Sequence, residues 1–233
     1  MKTLLIFLAC LVVATYARGQ HHELEEIEVT SPVYVGQVAQ SLNSYLQSGI
    51  RYPSTNDLDF WMQGTVVIGF LVTPEGNLEN FNIINGLNSE FDMEVIRVLK
   101  TTDGMWSPGI INGEYVPMPG EVSVSFKLNP DEDFIELVKE QWQKGVQALF
   151  VKNQPAKALK YFNHAISLVP NARSLLEVRG FCKYKMGDET GAYRDWDRLK
   201  TLSEKGNTMD IENLAKIPAN ALEYESMLRE LIK

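Results

Sequence analysis

The feature that most constrains this chain is the run Gln63-Gly64-Thr65-Val66-Val67-Ile68-Gly69-Phe70-Leu71-Val72 and the turn that closes it. Both alternating sets in the run are apolar or small. Val66, Ile68, Phe70 and Val72 form one set; Thr65, Val67, Gly69 and Leu71 form the other. A strand of that composition belongs in the middle of a sheet, covered on at least one face. In the next segment, Thr73-Pro74-Glu75-Gly76-Asn77, proline fixes one φ and glycine admits a positive one, which is turn chemistry. Leu78 to Ile84 returns as a second strand, so the pair is expected to be an antiparallel hairpin.

The flanks complete a small domain. Val38, Leu42, Tyr45 and Leu46 recur at helical spacing, and Ser48-Gly49 stops that helix. Asn85-Gly86 breaks the second strand, after which Asn88 or Ser89 can cap a helix to about Thr101. Its apolar stripe is Phe91, Val95, Ile96 and Leu99. Asn112-Gly113 offers another tight turn. Val122, Val124, Phe126 and Leu128 then alternate with Ser123, Ser125 and Lys127, the pattern of a strand with one buried face. Three strands and two helices in this order predict a small antiparallel α+β fold with the last strand at an edge.

Composition bears on where such a domain works. Residues 1–19 read as an export signal: Lys2, an apolar stretch from Leu4 to Tyr16, and the small-residue exit Ala17-Arg18-Gly19. The apolar stretch falls short of the roughly 20 residues of a spanning helix, so no stable membrane span is expected. Net charge is −8, and loss of Lys2 and Arg18 makes the chain more acidic still. That balance disfavours nucleic acid and anionic headgroups as partners. Beyond the signal only Cys182 remains, which excludes an internal disulfide and reads as a small buried hydrophobe.

Taken together, Tyr52-Pro53, Gln63 to Val72, Pro74-Glu75-Gly76, the Asp92-Val95-Leu99 helix, Trp106-Ser107-Pro108-Gly109 and Val122 to Leu128 resemble the C-terminal domain of TonB-type energy transducers, in the Bacteroidetes version. The likeness runs from about residue 34 to 128, with residues 51–128 as its body and 20–50 as a lead-in with the first helix. The resemblance implies a three-stranded sheet with two helices that captures a short peptide from an outer-membrane transporter as an added strand. Carried over residue by residue, the peptide-binding edge is Val122, Ser123, Val124, Ser125 and Phe126, with Tyr52 and Pro53 beside it. The chain departs from transducers of that family in having a short, cleavable-looking signal and no Pro-rich spacer.

From Lys139 onward the pattern is helical and repetitive. At an offset of 34 residues Trp142 falls on Leu176, Phe150 on Tyr184, Ala158 on Ala192 and Phe162 on Trp196. That offset is the tetratricopeptide period, and residues 131–204 resemble two such repeats, with Val146 standing where a small residue is usual. Residues 205–233, with Leu222, Met227 and Leu231 as apolar markers between Ile211 and Ile232, are expected to form a capping helix over the open end of the array. The likeness places Gln143, Gln147, Phe150, Glu177, Phe181 and Tyr184 along a repeat groove, although the aromatics among them also suit a core.

No catalytic constellation is present. His21, His22 and His164 do not combine with cysteine or carboxylate at metal-ligand spacing, and no nucleophile elbow or phosphate loop occurs. Neither a cofactor nor a metal is expected. Asp131-Glu132-Asp133 suits the positive end of a helix that begins after it. These features imply a non-enzymatic periplasmic adapter with protein or peptide partners, outer-membrane TonB-dependent transporters among them. The alternative is a transport-energising subunit whose residues 4–16 stay uncleaved as an anchor, and mass spectrometry of the native N-terminus separates the two.

Overall fold

The computed structural model describes residues 27–36, 41–53, 62–219 and 221–231. The export signal, His21, His22, Val38 and Ile232 lie outside these residues. Two short strands, β1 (Val29–Thr30) and β2 (Val33–Tyr34), precede helix α1 (Leu42–Gly49). The hairpin comes next as β3 (Gly64–Val72) and β4 (Leu78–Asn85), then helix α2 (Ser89–Lys100). Short strands β5 (Trp106–Ser107), β6 (Gly109–Ile111) and β7 (Glu114–Val116) lead to β8 (Met118–Phe126).

The main sheet has the order β4-β3-β8, so the apolar run Gly64–Val72 is its centre. Two features close the first hairpin. Pro74 and Glu75 lie in the turn while Thr73 N–H bonds Asn77 O at 2.9 Å. Gly76 has φ +81°, and a Cβ there would come within 2.4 Å of the Trp106 carbonyl oxygen. Conformation and space both demand glycine.

The two sets of β3 face two different layers. Val66, Ile68, Phe70 and Val72 join Val122, Val124 and Phe126 of β8 in one core, closed by Leu46 of α1 and by Phe91, Val95 and Leu99 of α2. On the other face Thr65 and Val67 are equally buried, beneath the helical part of the chain. Thr65 Oγ1 donates to Leu168 O at 2.7 Å. At Gly64 a Cβ would stand 2.6 Å from Ser167 O, so the helices sit almost on the strand's backbone.

Asn88 caps α2, its side-chain oxygen accepting from Glu90 N–H at 3.0 Å and Phe91 N–H at 3.1 Å. Asn88→Ala is expected to lower stability by about 1 kcal/mol through these orphaned donors, measurable as a reduced urea midpoint at unchanged slope.

Four helices form the second part: α3 (Phe134–Val146), α4 (Pro155–Leu168), α5 (Arg173–Lys185) and α6 (Glu189–Glu204). Asp133 caps the first, and Pro155 opens the second at a position where its missing N–H is harmless. Ala158 and Ala192 are fully buried, as is Phe162. The ring of Phe162 lies over Gly145 and the indole of Trp196 over Gly180; a Cβ on either glycine would approach within 2.5 Å and 2.2 Å of those rings. The small residue of the first pair is therefore Gly145, one place before Val146. Gly145 precedes Ala158 by 13 residues and Gly180 precedes Ala192 by 12. A π-turn over Gln147–Val151 lies in the longer interval, and a π-turn stores one extra residue.

The C-terminal segment is less helical than the periodicity from Ile211 suggests. Only α7 (Leu222–Leu231) forms there among the described residues. Asn213 takes a left-handed φ of +60° and Pro218 cannot sit in a helix interior. Residues 205–219 instead run along the bundle, where Met209 N–H bonds Asn171 O and Trp142 Nε1–H bonds Ala215 O.

Candidate functional site: an edge strand and its groove

Strand β8 pairs with β3 through nine consecutive residues, from Gly64↔Phe126 to Val72↔Met118, without a register shift. Its other side has no strand partner among the described residues. The opposite edge, β4, is different: its register with β3 shifts twice and Asn80 takes a φ of +53°. Bulges and irregular backbone blunt an edge as a template, whereas an unshifted ladder offers regularly spaced N–H and C=O groups, in β8 from Gly120 onward, since Pro119 lacks an N–H. The lead-in strands do not cover β8 either. Val29–Thr30 pairs with Ile110–Ile111, and Val33–Tyr34 with Trp106–Ser107.

Beside the C-terminal half of β8 lies a groove of about 440 Å³ lined by Gln47, Ile50, Tyr52, Ser125, Phe126, Lys127 and Pro130. Its floor is aromatic. Tyr52 meets Phe91 edge-to-face at 5.2 Å and Phe126 at 6.0 Å, while Phe91 meets Phe126 at 4.8 Å. The Tyr52 hydroxyl donates to Met62 O, and partial burial pushes its pKa up from the ordinary 10.0. Tyr52 remains 37% exposed, so the ring presents a face to the groove. Pro53, next in the chain, is half-buried and does not line the groove.

The edge residues divide by face. Val122, Val124 and Phe126 are buried in the sheet core, Ser123 is exposed and Ser125 is half-buried. The Ser125 and Thr65 hydroxyls are 2.9 Å apart. Thr65 gives its one proton to Leu168 O, so Ser125 is the donor between them. Farther along β8, Glu121 accepts both Nη groups of Arg198 at 2.6 Å each, and Arg198 also bonds Asn171. The edge strand is thus anchored from behind by the helices. Gln47, Ile50, Pro130, Glu121 and Arg198 are not legible as neighbours in the sequence, because only the fold brings them to β8. A charged Glu121 within an alternating strand was the one available signal.

In the helical part, Phe150 and Phe181 stack at 6.0 Å with a 9° interplanar angle. Tyr224 of α7 packs edge-on against both, at 5.5 and 5.3 Å. The Tyr224 hydroxyl bonds the Glu177 carboxylate, and Lys185 pairs with Glu223 at 2.6 Å. Phe150, Glu177 and Phe181 are therefore together, but under the chain's own last helix. Gln143, Gln147 and Tyr184 are exposed, Tyr184 leaning on Trp196 with ring centroids 6.2 Å apart. The Cys182 thiol, fully buried, is pushed up to about 12 by desolvation.

Burial also pushes the Glu177 carboxyl above its ordinary 4.5. The folded state then holds its proton more tightly than the unfolded state, so this group's contribution to stability falls as pH rises above 4.5. Glu177→Gln is expected to flatten that decline in a series of melts from about pH 4 to 8.

Among the described residues no group of His, Cys, Asp or Glu could hold a metal, and no helix is long and apolar enough to cross a membrane.

The geometry at this end of the sheet is thus a regular edge strand, without a strand partner among the described residues, and an aromatic groove beside its C-terminal half. Residues 56–128 match the family described as Gram-negative bacterial TonB protein C-terminal, which points to a TonB-like protein-interaction role for that segment. The chain is also similar to the solution structure of the Helicobacter pylori TonB-CTD, at 13% identity and a TM-score of 0.29, over 39% of this chain and 91% of that one. No curated protein matches the chain significantly.

Proposed function

We propose that this is a non-enzymatic periplasmic adapter that captures an extended peptide along β8 by strand addition and engages a second partner through tetratricopeptide-like helices. The observation that carries the reading is the contrast between the two sheet edges: β8 holds nine unshifted pairs with β3 and has no strand on its outer side among the described residues, while β4 is bulged. Main-chain hydrogen bonds to an added strand supply affinity, and pockets for alternate side chains supply specificity. The groove floored by Tyr52 and Phe126 is placed to take such a side chain. Outer-membrane TonB-dependent transporters are the partners that the family match favours. The two glycine-on-ring seams, Gly145 with Phe162 and Gly180 with Trp196, support the repeat reading of residues 131–204.

Hydrogen exchange tests the edge directly. In an antiparallel ladder alternate residues point their N–H away from the partner strand. Alternate amides of Gly120–Phe126 are therefore expected to exchange fast in the free protein and to gain protection when a transporter N-terminal peptide is added; Pro119 has no amide proton to report. Tyr52→Ala is expected to weaken that peptide by about tenfold, in line with loss of an aromatic anchor. Protection appearing on β4 instead, or on neither edge, would remove the strand-addition mechanism.

A further inference from the structure

A second cleft, of about 300 Å³, opens where the end of β4 meets α5 and α6. Four cations line it: Arg179, Lys183, Arg194 and Arg198. In a chain of net charge −8, this concentration is a local reversal of sign. Two carboxylates answer them. Asp195, 3% exposed, takes Arg179 through both oxygens and Lys183 at 2.8 Å. Glu121 takes Arg198. Four positive charges therefore face two negative ones, and the excess is not spread evenly.

Arg194 is exposed and makes no ion pair among the described residues. Nη1 of Arg179 and Nε of Arg198 also have no partner there, because their bonds to Asp195 and Glu121 use the other nitrogens. Guanidinium forks with unused N–H groups match the two oxygens of a carboxylate. The rest of the wall is Ile84, Ile166, Pro170 and Leu176 beside one amide, Asn85, whose Nδ2 donates to Thr65 O. Ile84 is 37% exposed and so available for contact. The chemistry thus has two halves, a cationic fork and a hydrocarbon wall.

We infer that this cleft between sheet and helices binds a carboxylate carried on an apolar body, as at the C-terminus of a polypeptide ending in an aliphatic residue or in a small aliphatic acid. The site is separate from the β8 edge and does not depend on peptide capture there. Its charge-assisted contacts weaken as salt screens the one exposed cation.

The test uses the full chain and four probes, tracked by NMR shifts of the arginine Nε–H groups and by thermal melts. N-acetyl-leucine is expected to shift these signals and raise Tm, whereas N-acetyl-leucinamide, lacking the carboxylate, is not. Arg194→Ala, a surface change expected to leave the unliganded melt unaltered, should weaken N-acetyl-leucine at least fivefold. Hexanoate distinguishes the sources: binding weaker than N-acetyl-leucine identifies a polypeptide terminus, and equal binding identifies a small aliphatic acid. An equal response to acid and amide, an unaffected Arg194→Ala variant, or inorganic phosphate matching N-acetyl-leucine would each overturn the inference.

Discussion

Phe162→Ala is expected to lower the unfolding free energy of the helical part by about 3–5 kcal/mol, the range for removing a fully buried aromatic ring. The ring is 0% exposed, packs edge-on to Trp142 at 5.8 Å and rests on Gly145. Nothing small can collapse into its place, because Gly145 has no side chain to lend and Ala158 is itself buried. The loss therefore includes a cavity as well as the transfer term. Guanidinium unfolding monitored by far-UV circular dichroism measures it. A loss below about 1 kcal/mol would mean that α3 and α4 do not pack through this seam.

The second large effect is at Asp195, where removing the carboxylate strands two cations at once. Arg179 and Lys183 are 19% and 18% exposed at their side chains, so water screens them in part. Breaking a buried pair from one side costs about 3–5 kcal/mol, and this exposure places Asp195→Ala near the lower end. The double change Asp195→Ala with Lys183→Met should recover part of that loss, since it removes one of the stranded charges. Equal stability of single and double variants would show that the pair is not coupled.

Much of the sheet half is legible in the sequence because its signals are local. Alternation marks Gly64–Val72 and Met118–Phe126, turn chemistry marks residues 73–77, and Asn88 announces α2. The central position of β3 comes from having no polar set on either face, and the edge position of β8 from the lack of any strand pattern after it. What is not legible depends on distant partners. Val29–Thr30 and Val33–Tyr34 are too short to show a period, and they become strands only because Trp106–Ser107 and Gly109–Ile111 lie opposite. Likewise Arg198 and Glu121 read as ordinary surface charges until the fold brings them to 2.6 Å. Among the residues expected along a repeat groove, helical spacing brings Phe150, Glu177 and Phe181 to one side of the bundle, but spacing carries no information about Tyr224 lying over them. The full helix suggested from Ile211 fails for a local reason: Asn213 and Pro218 outweigh the apolar period.

The widened turn at Gln147–Val151 acts as a phase adjuster. Every residue inserted into an α-helix rotates the rest of that helix by about 100°, so one extra residue would swing a packing face away from its neighbour. Here the surplus is absorbed between Gly145 and Ala158, and both keep their bearing on the adjoining helices. The chain can drift in length there while the angular order of its helices stays locked.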